Sequence, residues 1–442
     1  MHADRLPCVE DADMNLTNLL ERRDKSLGAG AELFYSDPIE LVRGEGAHLF
    51  DRTGRRYVDF YNNVPAVGHG NARVADAISL QQRTLNVHSR YVHEGVIAYA
   101  ERLAALHAPA IESFVFSCSG TEANEVAIQM ARIATGKRGI VCTNAAYHGN
   151  SDLVGRLTNV GRGQPESADV HAFPFPDCYR PVVSGLGEEE LANEYLARIS
   201  DAIARFDASG AGFAGMLICS IFANEGLPDL PAGFMRRAAD LVRDAGGLVI
   251  ADEVQAGFGR TGHWWGYQAT GFTPDIVVMG KPMGNGVAIS GTGASHAIVD
   301  GFRAKMDHFN TTASTPLQAA AGMAVLDELE RNRLLDHARE LGQFLKEGVT
   351  RIAAGNAHLG DVRGRGLFIV ADVVTDRETR TPDQALAAAM SERLKDLGFL
   401  TATAGAHKNL VKIRPPLVVS QEDVAAFLTT FEAVMLEINA AC

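Results

Sequence analysis

Five short, mainly apolar runs, each broken off by glycine and polar residues, constrain the fold of this chain more than any other feature. They are Ser113–Phe116, Gly139–Cys142, Met216–Cys219, Leu248–Ala251 and Ile276–Met279. From about Gly70 to Glu330 they alternate with segments of helical periodicity. Apolar runs without polar alternation are strands buried on both faces, so the pattern predicts a mostly parallel sheet covered on both sides. A chain of 442 residues exceeds what one small core serves, and a second, smaller domain is expected. A helix over Met14–Leu27 is followed by strand runs Ala47–Phe50 and Arg56–Phe60 about a turn at Asp51–Gly54. A helical stretch near Pro316–Gly355 leads into an α+β segment. The expected boundaries are 1–69 for an N-terminal segment joining the small domain, 70–330 for the large domain and 331–442 for the C-terminal small domain.

Charge and cysteine content exclude several function classes. Lys and Arg number 41 against 54 Asp and Glu, and without a basic run this balance disfavours nucleic acid. It does not exclude a local basic pocket for an anionic substrate. No apolar run has the length of a membrane span, and the polar, acidic opening MHADRLPCVEDADMN is unlike a leader peptide. Cys8, Cys118, Cys142, Cys178, Cys219 and Cys442 form no C-x-x-C pair, and no His cluster has metal spacing. Reduced thiols, no metal and a soluble cytoplasmic enzyme are expected.

In open α/β sheets ligands bind beyond the carboxyl ends of strands, and the unusual polar residues of this chain sit there. Ser119-Gly120-Thr121 opens a helix whose Ala123, Ala127, Met130, Ala131 and Ala134 share an apolar face. Its free N–H groups suit a phosphate, with Gly120 allowing close approach. Taken alone, the stretch reads as an ordinary cap served by Thr121 and Glu125. Asp252 follows a strand buried on both faces and needs a partner, either a protonated heteroaromatic nitrogen or an arginine such as Arg260. Lys281 precedes Pro282-Met283-Gly284-Asn285-Gly286. The place suits a deprotonated amine able to form a Schiff base, or a surface lysine with its stem on apolar residues. Tyr147-His148 offers a stacking ring or two core aromatics. Together these groups supply what one cofactor needs: a phosphate cradle, a carboxylate for a pyridinium nitrogen, a stacking ring and an aldehyde-capturing lysine.

With Ser119–Glu125, Tyr147-His148-Gly149, Ala251–Gly262 and Gly280-Lys281-Pro282 in this order, the chain resembles class III aminotransferases from about Gly44 to Met435. The resemblance implies pyridoxal phosphate fold type I, an α/β large domain with a mostly parallel seven-stranded sheet flanked by helices and a smaller α+β domain. It implies that Lys281 carries pyridoxal 5'-phosphate as a Schiff base and moves the proton in catalysis. Asp252 would hold the pyridinium nitrogen and Gln255 the phenolic oxygen. Val254 and Tyr147 would cover opposite ring faces, with His148 beside them, and Ser119, Gly120 and Thr121 would take the phosphate. Thr311 would reach that phosphate from a second subunit, which implies a homodimer with shared active sites, alone or paired into a tetramer.

Two departures narrow the resemblance. Where many class III members read E-P-x-x-G-E-G, this chain reads Cys219-Ser220-Ile221-Phe222-Ala223-Asn224-Glu225. Cys219 and Asn224 take the glutamate positions unless a one-residue shift makes Glu225 the second. In the terminal R-x-x-P-P-L motif, Lys412 replaces the arginine that grips a substrate carboxylate, and lysine is no equal for a bidentate clamp. Asn62-Asn63-Val64, Gly280–Gly286, His308-Phe309-Asn310-Thr311 and Lys408–Ile413 are similar to the ethanolamine-phosphate and phosphohydroxylysine phospho-lyase branch. That branch implies elimination of phosphate from a phosphorylated amino alcohol, with ethanolamine phosphate yielding acetaldehyde, ammonia and phosphate. Arg90 and Lys412 are the cations expected at the leaving phosphate, with Asn63 and Asn224 as neutral donors. A structural ion pair is the other reading for each cation. The alternative activity is amino transfer to an oxo acid. A non-catalytic binder is a third reading, against which intact Lys281 and Asp252 stand.

Overall fold

Successive residues of a strand face opposite sides of a sheet, and here both sides are core. In the computed structural model, which describes residues 9–159 and 163–441, all five apolar runs are strands of one seven-stranded sheet. Its order is Ser113–Ser117, Ser290–Ala294, Ile276–Met279, Leu248–Asp252, Phe213–Cys219, Gly139–Thr143 and Val170–Phe173. Ser290–Ala294 runs antiparallel to both neighbours, and the other pairs are parallel. Cys142, Leu217, Ile250 and Val278 pack with the helix Gly120–Thr135. Val141, Met216, Val249 and Val277 face the opposite core with helices Glu94–Leu106, Glu188–Ser209 and Phe234–Asp244. Each fully buried side chain of this size contributes roughly 1.5–3 kcal/mol.

Two strands of this sheet escaped the sequence reading. Ser290–Ala294 reads Ser-Gly-Thr-Gly-Ala and has no large apolar side chain. Its smallness makes room for the neighbouring strand, because a Cβ on Gly293 would lie 2.4 Å from the Phe114 ring. Val170–Phe173 is a four-residue edge strand carrying a histidine. In the helix Gly120–Thr135, Ala123, Ala127, Met130 and Ala131 are buried as expected. Ala134 is exposed, two residues before Gly136 ends the helix at φ 68°.

The helical stretch near Pro316–Gly355 is two helices, Pro316–Arg331 and Leu334–Ala354. Arg333, at φ 49°, breaks the i to i−4 ladder between them. Strands Leu41–Glu45, His48–Asp51 and Arg56–Asp59 form an antiparallel sheet whose last strand pairs in parallel with Phe399–Leu400. The N-terminal strands thus share a sheet with the C-terminal segment. A second sheet there contains Leu359–Arg365, Phe368–Asp376, Leu410–Ile413 and Ala402–Ala404. Among the described residues no helix is long and apolar enough to cross a membrane. Cys118, Cys142, Cys178 and Cys219 are unpaired thiols, while Cys8 and Cys442 lie outside the described residues.

Candidate active site

The chain reverses after each parallel strand, so the residues at the carboxyl ends of neighbouring strands converge. Gly120, Thr121, Tyr147, His148, Asp252 and Lys281 line one cavity, with Gly149, Cys219, Asn224, Val254 and Gln255 completing its wall. A larger cleft adjoins it, lined by Tyr61, Tyr147, Asn224 and Lys412.

Lys281 leaves its strand through Gly280 and takes φ 39°, a left-handed conformation rare for a residue with a side chain. Such strain costs roughly 1–3 kcal/mol and concentrates at functional sites. The side chain is accessible from the cavity yet surrounded by protein. Burial lowers its pKa, Asp252 opposes this and Arg414 reinforces it. A lowered ammonium pKa makes the free amine available as nucleophile and base.

Asp252 does not pair with Arg260. It accepts hydrogen bonds from His148 Nδ1 at 2.7 Å, Asn124 Nδ2 at 3.1 Å and the Val254 N–H at 3.0 Å. Burial pushes the carboxyl upward, but the His148 hydrogen bond and charge, the Val254 N–H and Lys281 outweigh it, so its pKa is lowered. Arg260 instead spends Nη1 on the carbonyls of Leu367 and Pro415. Asn124 also donates to the His148 carbonyl, tying helix, loop and strand together.

At the helix start, the Ser119 hydroxyl accepts from the Glu122 N–H, and Glu122 accepts from the Cys118 N–H. Ser119 and Glu122 therefore make the cap that was expected of Thr121 and Glu125. Glu125 accepts from Ser151, and Thr121 donates to Asn150 at 3.3 Å. At Gly120 a Cβ would stand 3.1 Å from Val254 Cγ2, so any larger residue there would press on Val254.

Gln255 accepts from Arg414 Nη1 at 2.6 Å and donates through Nε2 to Asn224 at 3.2 Å. Asn224 donates to the Tyr147 carbonyl at 3.2 Å, so both ends of its amide are engaged within the protein. Glu225 turns the other way, accepting from Thr143, and does not line the Lys281 cavity. The unshifted register, with Asn224 at the second glutamate position, describes the wall. Asn63 is buried, donates to the Gln255 carbonyl and does not line the cavity.

Lys412 is 5% exposed and lies 5.5 Å over the Phe368 ring. Burial, then Arg414 and Lys281, pull its pKa well below the usual lysine value. Burial also pushes Arg414 down to about 10. Among the described residues neither has a carboxylate partner at ion-pair distance. Arg90 and Thr311 are exposed and line neither space, and Arg90 lies 4.2 Å over the Phe309 ring. Two residues were missed. Asn124 is a polar side chain among the buried positions of its helix, which was a usable signal. Arg414 lies two residues after Lys412 and so shares its side of the strand direction.

The pattern of the family described as aminotransferase class-III matches residues 35–435. A Drosophila melanogaster protein named alanine–glyoxylate aminotransferase 2-like is 33% identical, over 97% of this chain and 89% of that protein. The Caenorhabditis elegans ethanolamine-phosphate phospho-lyase homolog 1 is 32% identical, over 95% of this chain and 94% of that one. A solved phospholyase from Arthrobacter, in complex with phosphoethanolamine, superposes with a TM-score of 0.91 at 40% identity, covering 95% of this chain and 99% of that one. The chain therefore belongs to the class III aminotransferase family, enzymes of fold type I that depend on pyridoxal phosphate.

Proposed function

We propose that this chain is a pyridoxal phosphate-dependent phospho-lyase that converts ethanolamine phosphate and water to acetaldehyde, ammonia and phosphate. The observation that carries this reading is the pair of buried cations, Lys412 and Arg414, that among the described residues have no carboxylate at ion-pair distance, with Lys412 on the wall of the cleft beside Lys281. Uncompensated buried charge is costly, and a dianionic substrate group offsets it. The phosphoethanolamine held by the Arthrobacter relative is such a ligand.

The cavity's residues fit the cofactor. A helix start with Gly120 at its tip suits a phosphate. Asp252, held low in pKa, suits a protonated ring nitrogen. Val254 and Tyr147 would supply apolar and aromatic surface for the ring, His148 steadies Asp252, and Gln255 would offer an amide to the phenolic oxygen. Bound there, pyridoxal phosphate would supply an aldehyde for the substrate amine and a ring able to draw off its electrons. Lys281 removes the proton from the carbon bearing nitrogen. Lys412 meets the charge that develops as the neighbouring C–O bond breaks. Thr311 and Arg90, which do not line the cavity of their own chain, serve the site of a second subunit in a homodimer. We also propose domain boundaries at 69/70 and 330/331.

The test is release of phosphate and acetaldehyde from ethanolamine phosphate with no oxo acid present. Stoichiometric release is expected. Amino transfer that requires an oxo acid and frees no phosphate would establish the second reading, which the name of the Drosophila relative favours.

A further inference from the structure

Glutamine has an acceptor end and a donor end of nearly equal shape, so what it offers a ligand depends on what holds it. Arg414 possesses only donors. Its Nη1 therefore takes Gln255 Oε1, at 2.6 Å, while its Nε donates to the Tyr61 carbonyl at 3.0 Å. The guanidinium is wedged 5.3 Å from the Tyr61 ring and 4.9 Å from the Phe368 ring. Gln255 Nε2 is left to face the other way, where it donates to Asn224 Oδ1 at 3.2 Å and retains a second N–H on the cavity side. Asn224 passes the direction on by donating to the Tyr147 carbonyl. Asn63 pins the Gln255 backbone from behind at 3.2 Å.

We propose that Arg414, Gln255 and Asn224 form one positioning unit, in which Arg414 turns the N–H end of Gln255 into the Lys281 cavity and Asn224 holds it there. Every donor in the chain points the same way, from a buried cation to the Tyr147 backbone, and a charge-assisted first bond polarises those that follow. The unit rests on the reading of the cavity as a pyridoxal phosphate site. It goes beyond that reading by assigning a task to Arg414, and by making Asn224 a positioning residue instead of a substrate contact. A donor facing the cofactor's phenolic oxygen favours its ionised form, so loss of the donor raises the pH at which that oxygen takes up a proton.

The experiment loads the protein and its variants with pyridoxal phosphate and follows the absorbance of the bound cofactor against pH. Gln255→Leu is expected to raise the midpoint by roughly one pH unit. Arg414→Met should raise it by a similar amount, Asn224→Leu by less, and Arg414→Met with Gln255→Leu no further than Gln255→Leu alone, because the groups act in series. A purely structural role would lower the melting temperature and leave the midpoint in place. An unmoved midpoint in Arg414→Met or Asn224→Leu, or additive shifts in the double variant, overturns the unit. Should Arg414→Met not fold, Arg414→Lys decides: it keeps charge but loses one of the two bonds, and it must still raise the midpoint. If phosphate release fails while the shifts appear, the lyase reading falls and the unit stands. If the unmodified protein takes up no cofactor, both fall.

Discussion

Asp252 and Lys412 are buried charges within electrostatic reach of Lys281, and the protein treats them in opposite ways. Asp252 accepts three donors, from a histidine ring, an asparagine and a backbone N–H, and remains ionised. Lys412 has an aromatic face, and its burial beside Arg414 and Lys281 outweighs the pull of Cys219 and Glu225. One wall of the site is complete before any ligand arrives, whereas the other is electrostatically incomplete and favours an anion. On the proposed function, the difference separates what prepares a cofactor site from what selects a substrate.

The sharpest way to break the comparison is to remove the residue between the two walls. Lys281→Ala should lower phosphate release by about 10³-fold or more while the chain stays folded, and should abolish a borohydride-reducible cofactor link. Full activity in that variant would remove the premise. Next, Asp252→Ala should cost about 10²-fold in rate and roughly 1–3 kcal/mol in stability, because the donors of His148 and Asn124 lose their acceptor. Thermal unfolding and phosphate release measure both.

Lys412→Met should separate the two quantities. Phosphate release should fall about tenfold or more, while aldehyde capture of a plain amine is unchanged. The ligand-free protein should become more stable, because an unpaired buried cation has been replaced by an apolar side chain. Equal losses for both amines, or a drop in stability, would show that Lys412 is a structural cation.

The same contrast predicts pH dependences of one sign in separate windows, alkaline for Lys412 and acid for Asp252. The Lys412 pKa is lowered from 10.5 on folding, so between its folded value and 10.5 the unfolded chain binds more protons and stability rises with pH. Asp252 is lowered from 3.8, so its contribution is fully present above 3.8 and is lost as pH falls through the folded value. Subtracting the unfolding curve of Lys412→Met from that of the unmodified protein should leave an alkaline slope of positive sign. The smallest effect is expected of Arg90→Met, tenfold or less. If Arg90 serves the partner's site, mixing Arg90→Met with Lys281→Ala subunits should restore one intact site per mixed pair. No recovery would return Arg90 to a surface role.

Much of this molecule was legible in its order of residues. Strands buried on both faces announce themselves as unbroken apolar runs, and four of the five ended within one residue of the expected position at both ends, the exception being Phe213–Cys219, which starts earlier. Ser290–Ala294 was illegible because its residues are chosen for what they leave room for, the Phe114 ring, and not for apolar area of their own. Arg333 broke a continuous helical pattern through a backbone angle to which periodicity is blind.

The sequence by itself determined which chemical groups stand at the ends of the strands, because local pattern decides where a strand stops and which residue follows it. It placed Lys281, Asp252, Gly120 and Tyr147 there, and put Lys412 where the resemblance leads one to expect an arginine. Only the tertiary structure decided the partnerships. His148 and Asp252 are 104 residues apart, and Arg414 and Gln255 are 159 apart. Asp252 could have met Arg260 by every local criterion, yet Arg260 is drawn to the carbonyls of Leu367 and Pro415. A hydrogen bond depends on ångström separations between side chains, and those are set by strand order and packing, which local periodicity does not encode.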